Sequence, residues 1–405
     1  MIENTKLIQI ISRQTMPNLL AAMAVKPARI VHICTPSMKG VSAALTKAYR
    51  EAGVKVDVQE LAVDEKPLMP EMFAAVTQAI KGESAAVVNF TGGTKPMSIG
   101  AYGAANAARV PSFYVDTDRG EFLDGRTGQG LADFFPNGDL SLGQVNRQLT
   151  VNCIARANGV ERVTGGLDWK PYAALADRLL RDPDLEENCH DYVAEAVSKV
   201  PHNYQQAKDH WSSWYSQPLD YPEEICKLGV EAGLFEEENG CYYAARRWSA
   251  KIEGLDLANC RYPRDVIFDA MQDVAWPFVF FNGNWWEIAV MRAFAESGKA
   301  RDLRWSVDAG SRSGGSTDME EDILGVDGVN LLYVSCKRGG DKSKLSRTLE
   351  DVNSSGLRLG GDFAHKVIAV YKEISGKDRQ AILNRCRELH LQLFTRDDAM
   401  HAPAL

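Results

Sequence analysis

Two hydrophobic periods alternate along the first 145 residues. Short apolar runs of strand length occur at KLIQIIS (6–12), ARIVHIC (28–34), VKVDVQEL (54–61), SAAVVNF (84–90) and PSFYVD (111–116). The fourth is apolar enough to lie centrally in a parallel sheet. Helical spacing fills the gaps. Val41, Leu45, Ala48, Tyr49 and Ala52 share one face and stop at Gly53, and Met72, Phe73, Val76 and Ile80 share another, with Gly82 just beyond. A third helix is predicted over 97–108, and RQTMPN after the first run reads as a turn. This alternation predicts a doubly wound, mostly parallel sheet. Ligands of such sheets sit beyond the carboxyl ends of the strands. The loops to inspect are therefore 12–18, 35–40, 89–97 and 116–120.

The texture changes after residue 145. Residues 150–275 are polar, acidic and helix-rich, and CKLGVEAGLFEEENGCYYAARR reads as a helix followed by a hairpin around Glu238-Asn239-Gly240. This is expected to be a helical connector, either a spacer or a small winged-helix-like unit. From Phe281 the pattern is a helix (284–296), a strand (303–307) and a Gly/Ser-rich loop, DAGSRSGGSTD. Next comes a hairpin of DILGV and NLLYVSCK around Asp327-Gly328. A helix near 342–353, a strand (365–372), a helix (377–389) and a strand (391–395) complete it. Three units are expected, at 1–145, 146–275 and 276–405, making an α/β protein with two sheet-bearing ends.

Composition narrows the class. With 405 residues, 45% hydrophobic and 25% charged, the chain is long enough for two or three globular domains. It contains no run of roughly 18 apolar residues and no leader-like start, so no membrane span or signal peptide is expected. The eight cysteines are scattered without CxxC pairs, as in reduced, cytoplasmic proteins. A net charge of -8 excludes a histone-like basic coat but allows one local basic groove.

The strongest local signal in the first half is Asn89-Phe90-Thr91-Gly92-Gly93-Thr94-Lys95-Pro96-Met97, where a strand passes into a helix. Glycines let backbone N–H groups approach an anion, and the helix start adds a favourable dipole. The threonines offer hydroxyls and Lys95 a full charge, while Pro96 suits the first turn. The loop is not a Walker sequence. Read by itself, it is equally a tight turn that needs glycine. Companion loops favour the binding reading: Ser12, Gln14 and Asn18 follow the first strand, and Thr35, Pro36 and Ser37 follow the second. TGGTK on such a sheet resembles the CARF domain, the sensor of CRISPR-associated effectors, over roughly 1–145. The resemblance implies a homodimer that binds a cyclic oligoadenylate across its interface. Cyclic tetra-adenylate is the expected ring, since four nucleotides match a two-fold axis. It implies ligand contacts from Ser12, Gln14, Asn18, Thr35, Pro36, Ser37, Asn89, Thr91, Gly92, Gly93, Thr94, Lys95 and Met97.

In the second half the candidates are Glu287, Asp322, Ser335 and Lys337. Glu287 stands beside the apolar stripe of its helix, and Asp322 opens a strand whose hairpin partner ends in Lys337. Strand alternation puts Leu332, Val334 and Cys336 on one face and Tyr333, Ser335 and Lys337 on the other. Asp322 and Lys337 can then converge, either as an ordinary ion pair or as part of a site. Phosphodiester cleavage needs a hard cation held by carboxylates, and a lysine can position the nucleophile. The order helix with Glu, strand, hairpin, helix, strand resembles the PD-(D/E)xK nuclease fold over roughly 276–400. Together with FNGNWWE (281–287) it resembles CARF–nuclease effectors of the Card and Can groups. The resemblance implies a nuclease dependent on Mn²⁺ or Mg²⁺ that acts on DNA or RNA.

One position departs from that motif: Ser335 stands where it carries a carboxylate, and a hydroxyl is a much poorer ligand for a divalent ion. Alternation suggests Glu320 as a substitute on the Asp322 face, with Glu321 pointing away. Glu287, Asp322, Glu320 and Cys336 are the expected metal neighbours. Arg304, Arg312, Arg338, Lys342, Lys344, Arg347 and Arg358 are candidates for substrate contact. The loop over 309–317 is either a mobile lip or a plain surface loop. The competing functions are a sensor without nuclease activity and a transcription regulator acting through the middle segment.

Overall fold

The five apolar runs and one further stretch, EFLD, which the sequence pattern did not mark, pair into one sheet. They are β1 (Lys6–Ile10), β2 (Arg29–Cys34), β3 (Asp57–Ala62), β4 (Ala86–Asn89), β5 (Ser112–Asp116) and β6 (Glu121–Asp124), in the order β3-β2-β1-β4-β5-β6. Every pair is parallel except β5–β6. The structure, a computed structural model, describes residues 4–125, 130–199, 204–249, 274–310, 319–339 and 342–401.

Helices α1 (Met16–Val25), α2 (Lys39–Glu51), α3 (Met69–Ile80) and α4 (Lys95–Ala107) cover this sheet. The first two share a core with Leu7, Ile30 and Val87. The other two share one with Ile8, Val31 and Val88. Neighbouring strand residues thus serve opposite faces. Helix α1 went unpredicted because all its residues are buried. A helix covered on every side has no polar face, so no periodic stripe marks it.

The chain then continues through α5 (Val151–Ala157), β7 (Arg162–Leu167), α6 (Ala173–Arg181), α7 (Pro183–Ser198), α8 (Tyr204–Tyr215) and α9 (Glu223–Glu231). The hairpin β8 (Phe235–Glu238) and β9 (Cys241–Ala244) follows. Its turn residues Asn239 (φ 55) and Gly240 (φ 79) lie in the left-handed region, as the Asn-Gly pair requires. After α10 (Trp285–Ser297) come β10 (Ala300–Gly310), β11 (Met319–Asp327), β12 (Asn330–Lys337), α11 (Lys342–Gly360), β13 (His365–Val370), α12 (Gly376–Glu388) and β14 (Leu391–Thr395). The second sheet runs β14-β13-β12-β11-β10-β7, with β12, β13 and β14 parallel. Asp327 pairs with Asn330, so the hairpin turn is Gly328-Val329, one residue beyond the expected pair.

The connector expected over 146–275 is divided by this packing. Strand β7 is an edge strand of the second sheet, antiparallel to β10. RVTGGL gave no strand signal, because glycines at φ 86 and 103 interrupt any alternation. Helix α5 lies in a core that runs unbroken from Leu20 and Leu45 through Ile154 to Val307, Leu331 and Leu349. Helices α6 to α9 and the β8–β9 hairpin join α10 on the other face, around Leu179, Trp211, Trp286, Trp305 and Val334. Among the described residues no helix is long and apolar enough to cross a membrane. The described cysteines are all free.

Candidate ligand cavity and candidate active site

The carboxyl ends of β1, β2, β3 and β4 surround an open cavity of ≈ 380 Å³. Of the residues expected to bind ligand, Ser12, Gln14, Thr35, Gly93, Thr94 and Met97 line it. Arg13, Met38 and Glu65 line it too and were not anticipated. Thr94 is the N-cap position of α4, in extended conformation (φ -75, ψ 163). Gly92 is needed for contact rather than for flexibility. A Cβ there would stand 2.3 Å from the Ile10 carbonyl oxygen, so any other residue must push the loop away from β1. Gly93 is held at φ +85, with Ile10 and Met97 closing on it.

Several expected contacts prove to be framework instead. Asn18 is fully buried and donates from Nδ2 to the Ile10 carbonyl at 3.1 Å. Asn89 is also fully buried, and its Oδ1 accepts from the Thr91 N–H (3.1 Å) and hydroxyl (2.6 Å). The Thr91 hydroxyl in turn accepts from Val115 N at 2.7 Å, so its one proton, which a phosphate would need, is already used inside the fold. Lys95 and Pro36 are exposed at their helix starts, outside the cavity lining. Ser37 stands next to the lining, donating its N–H (3.1 Å) and its hydroxyl to the Glu65 carboxylate.

Asn89 also ends a buried polar chain. Gln9 is in register with both Asn89 and His32 on the neighbouring strands. Asn89 Nδ2 donates to Gln9 Oε1 (3.2 Å), and Gln9 Nε2 donates to the Tyr49 hydroxyl (2.9 Å). The Tyr49 hydroxyl then donates to His32 Nε2 (2.9 Å), His32 Nδ1 donates to Ser42 (2.9 Å), and Ser42 donates to Glu60 (2.5 Å). Burial pulls the His32 imidazole down to about 3, so the ring is neutral. Every donor then points the same way, from the Thr91 loop to an edge-strand carboxylate, and the chain is satisfied throughout.

The second site gathers at one end of the β11–β12 hairpin. Helix α10 is fixed by Trp286, whose indole N–H donates to Ala369 O at 3.1 Å. That places Glu287 against Trp305, whose Nε1 donates to Glu287 Oε2 at 2.8 Å. Asp322 accepts from Cys336 N (2.6 Å) and from the Ser335 hydroxyl (3.1 Å), and Lys337 Nζ lies 3.7 Å away. Glu287 keeps some solvent contact, yet burial pushes its carboxyl well up, and Asp322 and then Glu320 push the same way. Of the four residues predicted as a constellation, Glu287, Asp322 and Lys337 are therefore within electrostatic reach of one another, and Ser335 bonds Asp322.

Glu320 accepts from Ser306 at 2.7 Å on that side, while Glu321 turns away to Tyr333 (2.8 Å) and Arg358 (2.7 Å). The split is ordinary strand alternation, which turns adjacent residues to opposite faces. Ser306 sits at φ 54 between Trp305 and Val307, which belong to opposite cores. A kink of this kind re-aims side chains beside a site.

Among the described residues no three His, Cys, Asp or Glu side chains form a ready-made metal cage. The donor chemistry still suits a hard divalent cation, because a cation between Glu287 and Asp322 would remove the repulsion that raises Glu287. Cys336 does not fit. Its thiol is buried in the α10-side core and burial, then Asp322, push its pKa well up, so only its backbone N–H serves the site.

The expected substrate cations are largely committed elsewhere. Arg338 grips the buried Glu186 (2.7 and 3.1 Å) and also Glu187 (2.8 Å). Arg304 bonds Asp302 and Asn152, and Arg358 bonds Glu321. Lys344 and Arg347 are exposed on α11. Arg312 and the loop over 311–318 lie outside the described residues, as does the Lys342 side chain. The middle hairpin carries Glu236 and Glu238, both paired with Arg246, on its FEEE strand. Such a strand repels phosphate, which removes the reason to read it as a DNA-binding wing.

Residues 6–126 match the family model of the Card1 CARF domain. The N-terminal sheet and its helices are thus similar to a CARF domain. The whole chain shares its fold with protein VC1899 from Vibrio cholerae, at 15% identity over 100% of this chain and 97% of that one, TM-score 0.71. It also resembles Can2 from Sulfobacillus thermosulfidooxidans, solved in complex with cyclic tetra-adenylate, at 17% identity over 99% and 97%, TM-score 0.66. A type III CRISPR defence DNA nuclease activated by cyclic oligoadenylate is similar at 14% identity, TM-score 0.50, over 93% of this chain and 47% of that one. No curated protein matches the chain. The unanticipated cavity residues had a signal in the sequence: Glu65 follows β3, whose carboxyl end shares the edge of β2, and Arg13 lies inside the SRQTMPN loop.

Proposed function

We propose that the chain is a nucleic-acid nuclease switched on by a cyclic oligoadenylate, acting as a cytoplasmic homodimer in type III CRISPR antiviral defence. The observation that carries this reading is the presence in one chain of a CARF-like domain and a hairpin end where Glu287, Asp322 and Lys337 converge. Two of the proteins that share its fold support it, one solved with cyclic tetra-adenylate and one described as a cyclic oligoadenylate-activated DNA nuclease. A two-fold partner is supported by an exposed apolar patch on α3 and α4, with Leu68 65%, Met69 49%, Phe73 39% and Ile99 56% accessible. The patch lies on the helix whose first turn lines the cavity, so a ring bound there would bridge two copies.

In the reaction, Glu287 and Asp322 would hold Mg²⁺ or Mn²⁺. Bound there, the cation would acidify a water and offset charge on the phosphate during in-line displacement. Lys337 orients the attacking water from beside Asp322, and its charge offsets what develops on the phosphate. Ser335 and the Cys336 N–H hold Asp322 in place. The substrate is DNA or RNA.

The test is cleavage of plasmid and single-stranded substrates by the purified chain, with and without Mn²⁺ or Mg²⁺ and cyclic tetra-adenylate. Cleavage is expected only with both added. Glu287→Ala, Asp322→Ala and Lys337→Ala should each lower it by about a hundredfold or more while leaving ligand affinity unchanged. Metal-independent cleavage, or full activity in any of the three variants, removes that part of the assignment. Ligand binding without cleavage would favour the sensor-only reading, for which Ser335 is the motivating residue.

A further inference from the structure

The ligand cavity contains a carboxylate where a ligand with several phosphodiester groups is expected. Glu65 is exposed in the loop after β3 and lines the cavity alongside Arg13, Gln14, Gly93 and Thr94. Its two oxygens take the Ser37 N–H at 3.1 Å and the Ser37 hydroxyl. Ser37 lies in the short helical turn Pro36–Met38, which runs directly into α2. Its N–H is one of the donors that a helix start leaves without an intrahelical partner, and such donors favour anions. The Thr35 hydroxyl, 3.1 Å from the Ser37 hydroxyl, extends the same donor group into the cavity lining. These are the donors a phosphate oxygen would seek at this edge of the sheet, and the protein fills them with its own anion. The two Ser37 bonds also hold the Glu65 carboxyl below its ordinary range, as they would if they favoured the charged form.

We infer that Glu65 is an internal competitor for the phosphate-binding donors of Ser37, setting the affinity threshold of the cavity and excluding ligands with a single phosphate. The inference rests on the cyclic oligoadenylate reading above and deepens it. A lone phosphate gains too little from Ser37 to displace a tethered carboxylate, whose effective concentration is high. A ring that contacts several parts of the cavity at once gains enough elsewhere to push it aside. Glu65 thereby makes multivalency, rather than phosphate as such, the condition for binding.

Isothermal titration of the full chain distinguishes the possibilities, with cyclic tetra-adenylate and AMP as probes. Glu65→Ala is expected to tighten cyclic tetra-adenylate about tenfold and to make AMP binding measurable where the parent shows none. Ser37→Ala should weaken the ring, and Glu65→Gln should fall between parent and Glu65→Ala. Glu65 is exposed, so an unchanged melting temperature is expected and serves as the folding control. Unchanged or weaker ring affinity in Glu65→Ala overturns the inference, because Glu65 is then a plain helix cap or a direct ligand contact. If neither parent nor variants bind the ring, the sensor reading fails and this inference falls with it.

Discussion

His32 shows how a single buried group can report on the N-terminal sheet. Its ring is wholly enclosed and bonded at both nitrogens, and burial pulls its pKa to about 3 from 6.5. Because the folded value lies below the unfolded one, the unfolded chain binds the extra proton first. The stabilising contribution is present above pH 6.5 and is lost as the pH falls toward 3. Between pH 6.5 and 5 the loss is about 2 kcal/mol. His32→Gln removes the titration, so urea unfolding at pH 7 and pH 5 should show the parent losing about that much more stability than the variant. Equal losses would mean that the ring is protonated in the folded state. The same chain of bonds explains why Asn89 and Thr91, polar residues in a ligand-like motif, are not free to bind. Their polarity was legible in the sequence, but apart from the bonds between the two, the partners that consume it lie on strands and helices tens of residues away.

At the scale of elements, the β11–β12 hairpin was legible because alternation and a glycine turn mark it locally. Its strands place Leu332, Val334 and Cys336 in one core and Tyr333 in the other, as a period of two requires. The kink at Ser306 was not legible, since nothing local forces a serine into φ 54. The departure at Ser335 gives the element its test. Ser335 is 7% exposed and donates to Asp322, so a carboxylate there would stand beside another. Under the proposed chemistry Ser335→Glu should lower the Mn²⁺ or Mg²⁺ concentration for half-maximal cleavage, by a few-fold. Glu320→Ala should raise it. Tyr333 does not block the longer side chain by its hydroxyl, which is held by Glu321 at 2.8 Å. Cleavage rate against metal concentration decides; if both variants match the parent, the hairpin end is not the metal site.

Across the whole molecule, the two sheets do not behave as beads on a linker. The core that α1 and α2 share with α5 continues into the second sheet and α11. Thr15, at the end of the β1 loop, donates to Asn158 (3.1 Å), which in turn donates to the Leu359 carbonyl of α11 (3.4 Å). A change at the cavity therefore meets packed protein rather than a flexible tether. In the proposed dimer the outward face of α3 and α4 would carry the second copy. Ile99→Glu and Phe73→Glu would put a charge into that apolar patch, which an interface core tolerates poorly. Sedimentation should show each variant as a monomer where the parent is a dimer, with ligand-dependent cleavage lost. Dimers of normal strength in both variants would place the interface elsewhere.

What the sequence determined by itself is whatever depends on near neighbours. The strand–helix alternation of residues 1–145 and the Asn239-Gly240 and Gly328 turns follow from local spacing and backbone sterics. The residue types of both candidate sites were equally visible. Tertiary structure alone decided the rest. It buried α1 on all sides, enlisted the glycine-broken β7 as an edge strand, and chose which of the polar loop residues face the cavity. It also gave Arg338 and Arg358 to buried carboxylates and set Glu65 on the donors of Ser37. The physical reason is the same in each case: hydrogen-bond and ion-pair partners are assigned by proximity in space, and a buried polar group must take whichever partner the fold brings to it.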